Sequence, residues 1–168
     1  MGLHLEVNML TIAILIYAAA MTLANLSIAH WGPWVSPINA FILIGLDLAL
    51  RDWLHMRLKL WQMGTLIAVA GLLTYALNPA AGMIAVASAV AFTAAAVVDW
   101  SVFSRMGGSW LRRANGSNVA GAAVDSLIFP TLAFGVLMPL VIGLQFLAKV
   151  AGGAMWAWLL NRKTQSPI

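Results

Sequence analysis

Lys149 stands about halfway along an apolar run from Pro139 to Leu160, with roughly ten residues on either side. An ionisable side chain at the middle of a bilayer costs at least ~2.5–3.5 kcal/mol and faces a bundle interior or an aqueous cavity. Mid-run is too far from either interface for the ammonium to snorkel out. Asp125 lies about seven residues into the preceding run, roughly 10 Å deep at 1.5 Å per residue. The two runs cross in opposite directions, so both groups fall in the middle third and are expected to pair, directly or through water. Asp47 and Arg51 are four residues apart in "LDLALRDW", on one helix face and able to pair, while a charge on another span is the alternative partner for Asp47. Asp99 sits at the end of "AVVDW", where headgroup water could reach it, while Asn25 and Asn39 put amides into the opposite half. Asp52 and Glu6 read as interfacial charges. Acids that accept, with a lysine and amides that donate, can replace the hydration shell of a polar guest or of a proton travelling with it.

Other chemistries lack their residues. There is no cysteine, hence no disulfide or thiolate metal site, and His4, His30 and His55 show no ligand spacing. No phosphate-binding glycine loop, catalytic triad or paired-carboxylate hydrolase motif is present. An enzyme, a cofactor and a bound metal are therefore not expected.

The elements that carry these residues must be membrane helices. Of 168 residues 62% are hydrophobic and 8% charged, with a mean hydropathy of +0.93. A soluble domain has about a quarter of its residues charged, so this all-α chain belongs in a lipid bilayer. Six spans are expected, near residues 8–29, 37–54, 61–77, 80–100, 118–135 and 139–160. They form a single polytopic domain. The second apolar run stops at Leu50, so its helix is expected to continue through the Arg51–His55 turn. The segments "GPWVSP", "NP" and "MP" mark breaks, and "RMGGSWLRRANGSN" reads as the one long linker.

Charge orients the spans. The net charge of +4 comes from bases at the ends of apolar runs, which speaks for membrane orientation and against nucleic acid. Arg51, Arg57 and Lys59 follow span 2; Arg105, Arg112 and Arg113 follow span 4; Arg162 and Lys163 follow span 6. The connections after spans 1, 3 and 5 hold no lysine or arginine, so both termini are expected inside, in a multi-pass inner (cytoplasmic) membrane protein. The N-terminal segment lacks the basic start of a signal peptide and is expected to remain in place. Trp31 and Trp34 would mark the outer interface, and Trp53, Trp61, Trp100, Trp110, Trp156 and Trp158 the inner one. Small residues from Ala20 to Ala24, from Gly64 to Gly71 and in "NVAGAAVD" would let helices approach closely.

In order along the chain, "TLANLSI", "LDLALRDW", "AVVDWSVFSR", "RANGSNVAGAAVDSLIFPTLAF" and a lysine in the last span resemble the queuosine precursor transporter family, also called the VUT (vitamin uptake transporter) family. The likeness covers most of the chain and is most specific from Asp99 to Phe134. It implies a six-helix inner-membrane importer of the 7-deazaguanine bases preQ0 and preQ1. Its pattern falls on Asn25, Asp47, Arg51, Asp99, Gly121, Asp125, Ser126 and Lys149, which implies substrate-binding roles for the polar ones, and the amide of Asn39 joins them as a candidate from its own place in span 2. Two positions depart from the family: Ala96 stands where many relatives have glutamine, and "RDWLH" replaces an aromatic-glycine pair. The outer loops are clipped.

A deazaguanine offers a ring N–H and an amine to one carboxylate and a carbonyl to a donor. Its flat ring suits an aromatic neighbour such as Phe129, Phe134 or Trp100. Such an importer could work alone or as a homodimer. A second reading is the substrate-binding subunit of an energy-coupling-factor importer, with Ala20-x-x-x-Ala24 contacting an ATPase module. A third is a non-transporting membrane scaffold, in which Asp125 and Lys149 matter only for stability.

Overall fold

The computed structural model describes residues 2–164 and the side chains of 8–162, so His4, Glu6 and Lys163 lie outside the described side chains. Six helices are long and apolar enough to cross a membrane, and no strand occurs among the described residues. They are α1 (Gly2–Trp31), α2 (Pro33–His55), α3 (Leu60–Leu77), α4 (Pro79–Arg105), α5 (Trp110–Phe134) and α6 (Pro139–Thr164). Pro33, Pro79 and Pro139 open helices, where a missing N–H costs nothing. Gly32 and Gly135 take positive φ (78° and 69°) at the turns before α2 and after α5.

Helix α2 does run on to His55. It begins as a 3₁₀ turn over Pro33–Val35 and relaxes into a π-helical turn over Ala40–Ile44, where the Gly45 N–H reaches the Ala40 carbonyl. Such turns leave backbone groups seeking partners, and the Trp156 indole on α6 donates to the Ile42 carbonyl at 3.0 Å. The two backbones nearly touch here. A Cβ on Gly152 would lie 2.1 Å from the Phe41 carbonyl oxygen, and one on Gly45 would lie 2.6 Å from the Gly152 carbonyl carbon. Only glycine permits this crossing, which brings α6 and its lysine against α2.

The long-linker expectation is corrected. The chain breaks only at Met106–Ser109, and α5 starts at Trp110, well before residue 118. The Ser109 hydroxyl caps the helix by accepting from the Arg112 N–H at 3.4 Å. Within the polar stretch "RRANGSN", Arg113 donates to the Phe103 carbonyl at 3.0 Å and Ser117 to Asp52 at 3.3 Å, so two of its polar side chains have partners on other helices.

Small residues pack as expected in part. Ala20 and Ala24 are 3% and 2% exposed, and so serve contacts within the bundle instead of presenting a surface to a separate subunit. Gly71 touches Ala89 of α4, whereas Gly64 faces open space. Apolar side chains such as Leu15, Leu72, Met83, Leu140 and Leu147 point outward, as a lipid-facing surface requires.

Candidate functional site

Two polar groups of side chains lie inside this bundle, one above the other. The first is built on Lys149 of α6. Its ammonium meets Asp125 Oδ2 of α5 at 2.6 Å and donates to Gln145 Oε1 at 2.8 Å and Ser126 Oγ at 3.2 Å. Both charged side chains are 2% exposed. Gln145 stands one turn before Lys149, and its amide donates to the Ser36 hydroxyl of α2. Pro130 lacks the N–H that would bond the Ser126 carbonyl, leaving a backbone acceptor on α5 at the level of the pair.

A second chain of bonds closes this region toward the turn after α1. The Ser88 hydroxyl of α4 donates to Asn25 Oδ1 of α1, and the Asn25 amide donates to Thr74 of α3 at 3.4 Å. The Asn39 amide donates to Ser27 and to the Ala24 carbonyl. Between these groups a cavity of about 20 Å³ remains, lined by Asn25, Ser88, Gln145, Asp125 and Lys149 among others, with Phe92 and Phe129 supplying apolar walls. That is room for one water and not for a bicyclic heterocycle.

The second group lies toward the Met106–Ser109 end. Arg51 Nε of α2 is 3.7 Å from Asp99 Oδ2 of α4. Gly121 of α5 makes room for this reach, since a Cβ there would sit 3.2 Å from Arg51 Nη2 and 3.4 Å from the Asp99 Cβ. Asp52 accepts from the Ser117 hydroxyl at 3.3 Å. Asp47 is fully buried and lies beside the buried Tyr17 hydroxyl of α1; neither makes a well-aligned hydrogen bond, and each is the other's one polar neighbour at bonding range.

A family model described as "Putative vitamin uptake transporter" matches residues 6–161. The chain belongs to that family. No curated protein and no solved structure matches it.

In this family member the expected Asp125–Lys149 pair is formed, with Ser126 beside it. Asn25 and Asn39 reach the same cavity. The structure settles the choice of partner for Arg51 that the sequence left open, and corrects two expectations. Arg51 does not pair with Asp47 on its own helix: the nearest carboxylate oxygen is across the bundle on Asp99, because Gly121 opens that path. Asp52 is buried and held by Ser117, not interfacial. Arg51 is likewise a core residue, 2% exposed, so it carries no weight as an orienting loop charge. Of the aromatic candidates, Phe129 lines the cavity with Phe134 edge-on behind it, while Trp100 is 41% exposed and packs by His55. Sequence reasoning missed Tyr17, Ser36, Ser88, Phe92 and Gln145. Gln145 alone carried a readable signal, as a mid-run amide one turn from Lys149.

Proposed function

We propose that this transporter-family member imports the 7-deazaguanine bases preQ0 and preQ1 across the inner membrane, with both termini inside. The observation that carries the reading is the buried Asp125–Lys149 pair at the wall of an amide-lined cavity. A bundle that only had to be stable would gain as much from apolar side chains, since replacing a buried ion pair by them is often neutral or favourable. The chemistry complements the cargo. Asp125 accepts from the ring N–H and the exocyclic amine, Lys149 or Gln145 donates to the carbonyl, and Phe92 and Phe129 flank the ring. With about 20 Å³ open, the cavity is smaller than the base it would hold. Binding requires the helices to part and Asp125 to exchange Lys149 for the guest, while Ser126 and Gln145 keep the ammonium solvated.

The test is uptake of labelled preQ0 and preQ1 by cells unable to make queuosine, with wild type or Asp125→Asn at equal membrane abundance. Wild type is expected to accumulate the base. The variant should fall at least about tenfold, the effect of one lost charge-assisted hydrogen bond worth ~1.5–3 kcal/mol. No uptake by folded wild type refutes the deazaguanine assignment, and equal uptake by both removes Asp125 from the binding site.

A further inference from the structure

Asp47, Asp52, Asp99 and Asp125 are each at most 2% exposed, and among the described side chains only Arg51 and Lys149 are buried with them as cations. Lys149 is engaged by Asp125 and Arg51 stands nearest Asp99. Asp47 and Asp52 are left without a counter-ion of their own. Asp52 has the Ser117 hydroxyl; Asp47 makes no well-aligned hydrogen bond on either oxygen and has only the neutral Tyr17 hydroxyl beside it. A carboxylate taken out of water with one neutral hydroxyl and no counter-ion of its own is neutralised instead of staying charged. A metal ion would be a poor neutraliser here. Hard cations take about six oxygens, whereas Asp47 and Tyr17 together supply three, and the Arg51 guanidinium one turn away repels a cation. A proton needs one oxygen only.

We propose that Asp47, buried beside the hydroxyl of Tyr17, is the site of an exchangeable proton that accompanies the cargo, separate from the Asp125–Lys149 pair that binds it. The coupling half of this rests on the import reading above; the proton site does not. Ionisable groups face Asp47 from five of the six helices: Tyr17 from α1, Arg51 on α2 itself, Asp99 from α4, Asp125 from α5 and Lys149 from α6. Helix α3 has no charged side chain. Asp125 and Lys149 act on Asp47 through space, so a guest that takes over Asp125 changes the potential at Asp47 and links the two sites without a shared atom. The three guanidinium nitrogens of Arg51 make no well-aligned hydrogen bond, so that side chain can turn from Asp99 toward Asp47 when the proton leaves.

The first measurement needs no cargo. Infrared difference spectra of the purified chain in nanodiscs, at neutral and alkaline pH, should show a protonated-carboxyl stretch that Asp47→Asn removes and Asp99→Asn keeps. No such band, or one unchanged in Asp47→Asn, overturns the proposal. Should Asp47→Asn fail to fold, Asp47→Glu must shift the band, and an unshifted band is equally fatal. The second measurement is accumulation of labelled preQ1 by proteoliposomes. One imposed pH unit, acid outside, is expected to raise wild-type accumulation up to about tenfold for one proton per cargo. The ratio with and without that gradient should drop to about one in Asp47→Asn, and a sodium gradient should do nothing. Equal stimulation of the variant, or stimulation by sodium, overturns the coupling. A wild type that shows the band yet takes up neither base refutes the cargo and the coupling, and leaves the proton site standing.

Discussion

Removing Lys149 should cost far more than removing Lys149 and Asp125 together. In Lys149→Met, Asp125 Oδ2 loses its partner at 2.6 Å, and Oδ1 has no hydrogen bond to begin with. Both side chains are 2% exposed, so bulk water cannot take over, and the cavity beside them has room for one water at most. Breaking a buried pair from one side costs about 3–5 kcal/mol. Asp125→Leu should cost about the same, because the ammonium would keep only Ser126 and Gln145. The double variant leaves no charge stranded, and its remaining cost is the unmet hydrogen-bonding capacity of those two neighbours, about 1–3 kcal/mol. The three values close a cycle with a coupling of several kcal/mol. The assay is unfolding in mixed dodecyl maltoside and dodecyl sulfate micelles, followed by helical circular dichroism. Emission of the eight tryptophans gives an independent probe. Costs that add to within ~0.5 kcal/mol would mean the two groups do not meet, and would refute both the pairing and the site built on it.

Two further predictions concern how the site is held. Gly152→Ala should cost more than about 3 kcal/mol, since its Cβ would sit 2.1 Å from the Phe41 carbonyl oxygen and backbone must move. On the same helix Gly143→Ala has nothing within 4 Å and should be neutral or up to about 1 kcal/mol stabilising; the same micelle titration reads both. Trp156→Phe removes the donor to the Ile42 carbonyl and should cost about 0.5–1.5 kcal/mol, with faster amide exchange confined to the π-helical turn of α2. Protection unchanged at Ala40–Gly45 would show that the indole does not hold that turn.

Composition and hydropathy were enough for six helices, because a bilayer accepts few other ways of satisfying backbone groups. The depths of Asp125 and Lys149 along their runs also sufficed to pair them, since antiparallel neighbours place equal depths side by side. Register along a helix was legible in the same way; which neighbour a side chain meets was not. Asp47 and Arg51 share a face, yet Arg51 stands nearest an acid on another helix, and only the packing of α5 through Gly121 makes that reach available. Asp52 looked interfacial because it ends an apolar run, and became a core group when α5 began eight residues before its apolar stretch and brought Ser117 over it.

The sequence by itself determined the solvent of this protein, its helix count and the presence of charge that lipid alone would not tolerate. Those properties follow from residue type and distance along one helix, which are local. The tertiary structure decided which charges neutralise one another, that Asp47 is left without a counter-ion of its own, and that the cavity beside Lys149 is small. Those depend on close approaches of α2, α5 and α6 at Gly45, Gly121 and Gly152, a few ångströms that no hydropathy pattern encodes.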